Sequence, residues 1–447
     1  MRPETPSGVA WHAPLEGGLE ALPADQAALA RFWTALDDPL LSQLVESALA
    51  ANFDVAAAEA RLSQARAQRK IAIGAFFPTL SGSAGANHVH VAERGGSFKG
   101  GVNFYTAGLD ASWEIDLFGR LRRGLEAANA DRDLAEADLR DVQVTLVGDV
   151  VLAYVDARAL QERLRIAEAT FVSQTETFDI TDWRAQAGLT TELDVERART
   201  SLALTQATIP SLRTALAADM NSIAILLGES PGALDESLAA PQPIPVTPRE
   251  VAVGVPADAL AQRPDVRRAE RDLAAETARV GVVTADAYPS LNTLGSIGLD
   301  ALSPGGLFRA GAWTGSLAAT ATQTLFSGGQ ILGAIEAEDA VREQKLARYR
   351  ATVLSALEEV ENALVAYAQE QDRRQALADG AAAAERALAL AQDQYGSGLI
   401  DFQVVLDAQR SLYVLQDQLA ESEGQVTSNL IRLYKALGGG WTREVTS

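Results

Sequence analysis

Apolar residues along this chain follow two different spacings, and these predict strands in some stretches and long helices in others. Apolar and polar residues alternate without a break from Leu109 to Leu117, as in a strand with one apolar and one polar face. The acids Asp110, Glu114 and Asp116 stand on the polar face. Stretch 313–325 carries threonines and a serine on one face. Such strands fit either a soluble sheet with one wet face or the wall of a water-filled lumen.

Long helices are predicted after the strands. Stretch 120–187 contains no proline, and apolar residues recur there at alternating intervals of four and three, a heptad seam that requires a partner helix. A break near Gly188 precedes a second helical pattern that runs to Leu227, which predicts a helical hairpin with glycine at its turn. The seam positions are Leu146, Val150, Ala153, Ala157, Leu160, Leu164, Ala167 and Phe171.

The second half of the chain repeats the first. Five short motifs recur in the same order at offsets of 208 to 211 residues, for example 77–80 with 288–291 and 187–189 with 397–399. Between the halves, six of the 16 prolines fall in 229–256, which predicts an extended linker. Chance similarity would not keep its register over such a length, so the sequence predicts an internal duplication.

These patterns divide the chain into five segments. One chain supplies only four strands, too few to close a barrel, whereas three chains together would close one of twelve strands. The segments are an extended N-terminal segment 1–38; a first repeat 39–228 with a helix, two strands within 78–118 and a hairpin 120–228 whose tip is near 188; the linker 229–256; a second repeat 257–441 with a helix, two strands within 289–326 and a hairpin 329–437 whose tip is near 398; and a tail 442–447.

Composition narrows the possible functions. The formal net charge of −21 argues against nucleic acid and against docking on anionic lipid through a basic patch. It is explained either by solubility or by an acidic lumen. The absence of cysteine excludes disulfides, thiolate metal sites and cysteine nucleophiles. Nucleotide-binding and serine-nucleophile motifs in a strand–helix setting are missing, so we expect no enzymatic activity and no cofactor.

The sequence also lacks the long apolar runs that are typical of membrane-spanning helices. No apolar run reaches the ~18 residues of a membrane-spanning helix. The sequence also starts without the apolar core of a signal peptide. The pattern therefore fits a soluble protein, a trimmed chain or a β-barrel, whose alternating strands escape hydropathy scans.

Motifs along nearly the whole chain resemble the outer membrane factors of the TolC family, specifically the lipoprotein (NodT-like) branch that serves resistance–nodulation–division (RND) multidrug efflux pumps. Those near the C-terminus, 406–412 and 433–441, are the most specific. The stretches that carry the resemblance are Phe32-Trp33 with Asp38-Pro39-Leu40, Trp113 to Arg122, Gln262 to Val266, Leu406 to Leu412 and Leu433 to Trp441.

The resemblance implies a mainly helical homotrimer. Long coiled-coil hairpins would form an α-helical barrel in the periplasm, capped by a shared 12-stranded β-barrel in the outer membrane of a Gram-negative bacterium, with four strands from each protomer. Drugs or other small molecules would pass through this duct from an inner-membrane RND transporter and a periplasmic adaptor to the exterior. The alternative is a periplasmic coiled-coil adaptor or scaffold without a pore, which explains the helices but not the strands.

One feature departs from that branch. Its members usually carry a signal peptide and a lipid-bearing cysteine at the mature N-terminus, and this sequence has no cysteine. The start at Arg2-Pro3-Glu4 resembles sequence a little downstream of that cysteine. We therefore expect either a chain trimmed before the cysteine or a natural unlipidated member.

Asp407 is the first candidate for a periplasmic gate. In the family, an aspartate in this motif lines the closed aperture, and three carboxylates around one axis would attract cations and resist anions. A solvated aspartate on a helix face is the alternative. Arg410 is expected to latch the closed state, and Gln403 and Phe402 to narrow the opening. Because Asp407 aligns with Arg197 in the first repeat, the ring should hold three acids and not six.

Adaptor-docking tips are expected at the two hairpin turns, which resemble the family's docking turns. Small and apolar residues at an exposed turn suit the helical hairpin of a partner. Turn chemistry alone would also explain the glycines. The residues are Gly188, Leu189 and Thr190 in the first tip and Gly398, Leu399 and Ile400 in the second.

Two further sets of residues complete the candidates. Asp110, Glu114 and Asp116 are expected to line the barrel lumen. His88 and His90 have the spacing of two metal ligands, but no third ligand accompanies them, so no metal site is predicted.

Overall fold

The computed structural model describes residues 10–22, 26–91, 100–248, 251–254 and 256–441. The predicted tail 442–447 and part of the predicted N-terminal segment lie outside these residues. The chain divides into two compact units. A helical unit comprises Met1–Glu59, Ala137–Arg267 and Ala351–Ser447, and a strand-bearing unit comprises Ala60–Glu136 and Arg268–Arg350.

The first half of the chain runs from short helices to strands and then to a long helical hairpin. A 3-10 turn at Phe32–Leu36 precedes its second helix. The elements are β1 (Leu19–Glu20), α1 (Gln26–Ala30), α2 (Pro39–Ala51), α3 (Phe53–Gly74), β2 (Thr79–Val91), β3 (Gly100–Ile115), α4 (Arg120–Gln186), α5 (Glu192–Leu226) and α6 (Asp235–Leu238).

The second half follows the same order. Its elements are β4 (Val251–Ala252), α7 (Pro256–Gln262), α8 (Pro264–Ala285), β5 (Ser290–Ala301), β6 (Trp313–Thr322), α9 (Gln330–Gly396) and α10 (Phe402–Ala436). Corresponding helices have equal lengths: α3 and α8 have 22 residues, α4 and α9 have 67, and α5 and α10 have 35. At ~1.5 Å per residue, α4 and α9 are each about 100 Å long.

Local sequence features account for where α2 begins and for which face of α4 is protected. Asp38 caps α2: its carboxylate accepts a hydrogen bond from the Leu41 amide at 3.0 Å, and Pro39 occupies the first helical position, where no amide donor is needed. The heptad residues expected in α4 lie at protected positions. Leu146, Val150, Ala157 and Ala167 are buried, and the other four are half-buried.

Four strands form one antiparallel sheet in the order β2–β3–β5–β6. Gly108 pairs with Ser83 on one side and with Gly298 on the other, which fixes the register of the two inner strands. Within the described residues, β2 and β6 have a neighbouring strand on one side only. The small pair β1–β4 is parallel and belongs to the helical unit.

The helical unit contains a hydrophobic core around the middle of α9 and the C-terminal end of α10. Its members come from distant parts of the chain, including the N-terminal segment and the stretch before α7, so this core ties both halves together. The largest fully buried members are Leu364, Tyr367, Leu430, Leu433 and Leu437. Among the helices of the described residues, none combines the length and apolar character needed to cross a membrane.

Candidate functional site

The two hairpin tips have the same backbone geometry. At the first, the Leu189 amide donates to Arg184 O at 2.8 Å and the Gly188 amide to Ala185 O at 2.9 Å. At the second, the corresponding bonds are Leu399 to Gln394 O at 2.9 Å and Gly398 to Tyr395 O at 3.0 Å. Both patterns are Schellman motifs, which end a helix with a left-handed residue.

Glycine occupies the left-handed position in both tips, and its neighbours are exposed. The φ angles are +75° at Gly188 and +73° at Gly398, a region that a side chain disfavours. Leu189 and Leu399 follow with 69% and 75% exposure. Thr190 and Ile400, which were also expected at the tips, are half-buried. Each tip therefore presents one glycine and one leucine to solvent.

The first tip is braced by a capping box that the second lacks. Thr191 caps α5 by accepting a hydrogen bond from the Asp194 amide, and Asp194 Oδ2 accepts from the Thr190 and Thr191 hydroxyls at 2.9 and 2.7 Å. Partial burial alone would raise the pKa of Asp194, but these hydrogen bonds and the nearby charge of Arg197 outweigh it and leave the pKa below its ordinary value.

A hydrophobic cluster lies behind the second tip and joins the two hairpins. Phe402 is 4% exposed and packs against the Tyr395 ring, with centroids 5.3 Å apart. Ala198 and the half-buried Phe178 of the first hairpin belong to the same cluster, as does Val405. Phe402 was expected to narrow an opening; the structure instead buries it, because it shares a helix face with Val405 and its neighbours.

Polar contacts continue the seam between the hairpins beyond this cluster. Gln409 Nε2 donates to Thr177 Oγ1 at 2.9 Å. Further along, Arg163 forms a bidentate pair with Asp417, with N–O distances of 2.8 and 3.0 Å. The hydrogen bond with Asp417 raises the pKa of Arg163 above its ordinary value, although burial alone would lower it. These polar residues fix the register of α10 against α4.

Asp407 and Arg410 lie on the opposite, exposed side of α10. Asp407 is exposed, and its carboxylate accepts one long hydrogen bond, from Gln403 Nε2 at 3.5 Å. Gln403 and Arg410 are exposed as well. In the described part of the chain, Arg410 forms no ion pair, so no acid of that part neutralises its charge.

One face of the sheet is hydrophilic. Ser81, Asp110, Ser296 and Ser316 lie side by side across the four strands, because each is the register partner of the next. Hydroxyl contacts join them: Ser83 Oγ donates to Asp110 Oδ2 at 3.3 Å, and the Ser296 and Ser316 hydroxyls are 2.8 Å apart. Asp110 is thus an exposed acid in a row of hydroxyl groups.

The other two expected lumen acids are engaged at the end of β3. Glu114 pairs with Arg120, whose Nε lies 2.9 Å from Oε1. Asp116 lies beyond the strand and accepts the Leu121 and Arg122 amides at 3.3 and 2.9 Å, so it caps α4. Burial would raise the pKa of Asp116, but these bonds lower it. Asp116 therefore differs from the sequence-based expectation, which placed it with Asp110 on one face.

The opposite face of the sheet is apolar, and no other described part of the chain covers its large side chains. Leu80, Ala111, Gly295 and Leu317 form one row across the four strands. Leu80 is 70% exposed and Leu317 is 87% exposed. The two leucines stand on the outer strands, and the small alanine and glycine stand between them on the inner strands. A contiguous exposed surface of this kind marks a site of contact with a partner or a lipid.

His88 and His90 lie on β2 on either side of Val89. His88 Nδ1 is 2.6 Å from Asn103 Oδ1, its register partner on β3. Among the described residues, no group of three histidine, aspartate or glutamate side chains comes together in the manner of a metal site.

A family model described as outer membrane efflux protein matches the chain twice, over residues 44–229 and 255–439. Among curated relatives, nodulation protein T of Rhizobium leguminosarum bv. trifolii is 34% identical over 92% of this chain and 88% of its own length. The pyoverdine export outer membrane protein OpmQ of Pseudomonas putida is 34% identical over 96% and 91%.

Solved structures agree with the sequence relatives. The outer-membrane channel OprN matches with a TM-score of 0.92 and 35% identity, over 98% of both chains. The match extends through the long helices and the four strands, since so little of either chain is left out. The chain belongs to the outer membrane efflux protein family of TolC-like proteins and is an outer membrane channel for efflux.

Proposed function

We propose that three copies of this chain form one duct, with a shared β-barrel of twelve strands in the outer membrane. The four-stranded sheet carries this proposal. Its apolar face is exposed, as a lipid-facing wall requires, and its other face bears hydroxyls and Asp110, as a wet lumen requires. Within the described residues, its two outer strands each have one unpaired side, and in lipid every backbone group needs a partner.

The long helices then form the periplasmic tube of a tripartite efflux system. The family model matches each half of the chain once, which supports an internal duplication and two hairpins per protomer. We propose that the tips, with exposed Leu189 and Leu399, dock a periplasmic adaptor that links the duct to an inner-membrane RND transporter. Drugs or other small molecules would pass through without any bond being made or broken.

Asp407, Gln403 and Arg410 form the proposed gate at the periplasmic end. All three are exposed on one side of α10, and the side chain of Arg410 has no acid partner in the described part of its own chain. Three copies of Asp407 around one axis would form a ring of negative charge that attracts cations. Phe402 and Asp116 are left out, because the structure uses Phe402 in the core and Asp116 as a helix cap.

The mass of the purified protein in detergent tests the shared barrel. We expect a single species of three chains that remains assembled when the detergent is diluted. A stable monomer with an intact sheet would contradict the proposal, because one chain has too few strands to close a barrel. A dimer or tetramer would contradict the strand count of twelve.

A further inference from the structure

Asn52 and Arg263 occupy equivalent places in the two halves. Asn52 is the single residue between α2 and α3, and Arg263 is the single residue between α7 and α8. The same dipeptide sequence, aspartate followed by valine, stands two and three residues further on in both cases. Asn52 is 7% exposed and Arg263 is 6% exposed, so both polar side chains are buried and need partners.

Both side chains bind the end of the helix that returns from a tip. Asn52 Nδ2 donates to the carbonyl of Leu226, the last residue of α5, at 2.9 Å. Arg263 Nη1 donates to the carbonyl of Ala436, the last residue of α10, at 2.7 Å. These carbonyls have no partner inside their own helices, so each donor completes a helix end.

The same residues also serve the start of the helix that leads to the sheet. Asn52 Oδ1 accepts the amides of Asp54 and Val55 at 2.8 and 3.2 Å and so caps α3. In the second half this task passes to Asp265, whose Oδ1 accepts the Val266 amide at 2.8 Å while both carboxylate oxygens bind Arg263. The side-chain amide of Asn52 therefore makes in the first half the contacts that the Arg263–Asp265 ion pair makes in the second.

Glycines bring the helix ends close enough for these bonds. Gly228 and Gly438 follow α5 and α10 with φ angles of +74° and +81°. A Cβ on Gly228 would lie 2.6 Å from Ala51 O, and one on Gly438 would lie 3.3 Å from Arg263 Cα. A side chain at either position would push the returning helix away from its partner residue.

The second joint has an additional arm. Arg263 Nη2 also lies 2.7 Å from Glu359 Oε2, so the guanidinium connects α9 as well as α8 and α10. Burial alone would lower the pKa of Arg263, but its pairs with Asp265 and Glu359 raise it, so the group stays charged. The acid at the equivalent place in the first half, Asp149, binds Lys435 and not Asn52.

We propose that Asn52 and Arg263 are equivalent fasteners, each tying a helix that returns from a tip to a helix that leads to the sheet, and that the second is a three-helix latch. The second joint then holds both helices of hairpin 2 (α9 and α10), whereas the first holds only α5 of hairpin 1 (α4 and α5). The bonds that hold each joint lie within one protomer, so the fasteners act in any oligomeric state.

Amide hydrogen exchange of the full-length protein tests this proposal. The amides of 434–439 report on the joint at Arg263, and those of 224–229 report on the joint at Asn52. Arg263→Ala should speed exchange at 434–439 by roughly tenfold or more, because a buried carbonyl and two carboxylates lose their donor. Asn52→Ala should do the same at 224–229 only. Equal effects at both joints from either variant would show general unfolding and overturn the proposal.

Placing the asparagine of the first joint at position 263 distinguishes hydrogen bonding to the helix end from side-chain packing. The double variant Arg263→Asn with Glu359→Gln should keep 434–439 within about threefold of native exchange, whereas Arg263→Ala with Glu359→Gln should not. Equal exchange in the two would overturn the equivalence of the residues. If the variants with alanine at 263 fail to fold, unchanged exchange at 224–229 in Asn52→Ala overturns it instead.

The latch is tested by removing its third arm alone. Glu359→Gln should speed exchange at 434–439 a few-fold, and Asp149→Asn, the matched change in the first half, should leave 224–229 unchanged. Exchange at 434–439 that does not respond to Glu359→Gln would reduce the latch to a two-helix joint like the first.

Discussion

At the residue scale, Asp407 gives the most direct test of the gate. Replacing it by alanine removes three charges from the proposed ring, so the aperture should loosen and the preference for cations should fall. We expect the conductance of single trimers in planar bilayers to rise several-fold, with a smaller rise for Asp407→Glu, which keeps the charge.

Asp393→Ala is the matched control for this prediction. Asp393 is an exposed acid near the same tip but lies on α9, and its side chain takes no part in the proposed gate. Its loss should leave conductance unchanged. Equal effects of Asp393→Ala and Asp407→Ala would mean that general tip charge, and not a ring at Asp407, controls the passage.

Some residue roles could be predicted and others could not. A sequence motif indicates Asp407, and the structure leaves its side chain exposed. Phe402 could have been assigned to the core, because 402, 405, 406 and 409 have the spacing of one buried helix face. The partners of Arg263 could not be predicted: it lies in a recognised motif, but Ala436 is 173 residues away along the chain.

At the scale of elements, the tips depend on glycine for their backbone. A residue with a side chain in the left-handed region costs about 1–2 kcal/mol. Gly188→Ala and Gly398→Ala should therefore each speed hydrogen exchange of the adjoining leucine amide, which closes the Schellman motif, by roughly tenfold. The effect should stay at the altered tip, because the two turns are separate.

Gly396→Ala is the control for the tip variants. Gly396 is the last residue of α9, has no positive φ, and has open space where a Cβ would lie. Alanine there should slow exchange slightly, because it favours the helix by about 0.5–1 kcal/mol over glycine. Faster exchange in Gly396→Ala as well as in both tip variants would contradict this prediction. It would show that the added side chain, and not the left-handed backbone conformation, destabilises the turn.

The helical elements follow from local signals, and the sheet order does not. A proline-free stretch with heptad spacing specifies a long helix by itself, and the chain is indeed mainly helical, as the related channel structures are. Alternation of apolar and polar residues predicts strands, but it does not predict that β3 of the first half pairs with β5 of the second. That pairing depends on closure of the loop 116–289 between the two strands, which leaves no local trace.

At the scale of the whole molecule, the unpaired sides of β2 and β6 should meet between protomers. Because the chain contains no cysteine, introduced cysteines report without background. We expect Ser81→Cys, combined in turn with cysteine at Thr314, Ser316 or Thr320, to give disulfide-linked dimers and trimers on oxidation in at least one pairing. All four residues lie on the polar face.

A disulfide within one chain cannot imitate this result. Three strand spacings of ~4.8 Å separate β2 from β6 in the flat order of the sheet, well beyond the ~7 Å limit between linked Cα atoms. Ser112→Cys on the inner strand β3 is the control and should give no linked species with the same β6 cysteines. Only monomers from every Ser81 pairing would contradict the shared barrel.

The equal lengths of α4 and α9, and of α5 and α10, restrict how such a protein can change during evolution. One inserted residue turns everything beyond it by about 100° around the helix axis and would carry a tip away from the contacts that hold it. An insertion of seven residues nearly restores the face, with a drift of about 20°. Lengthening should therefore proceed by whole heptads, in both legs of a hairpin and in both halves of the gene together.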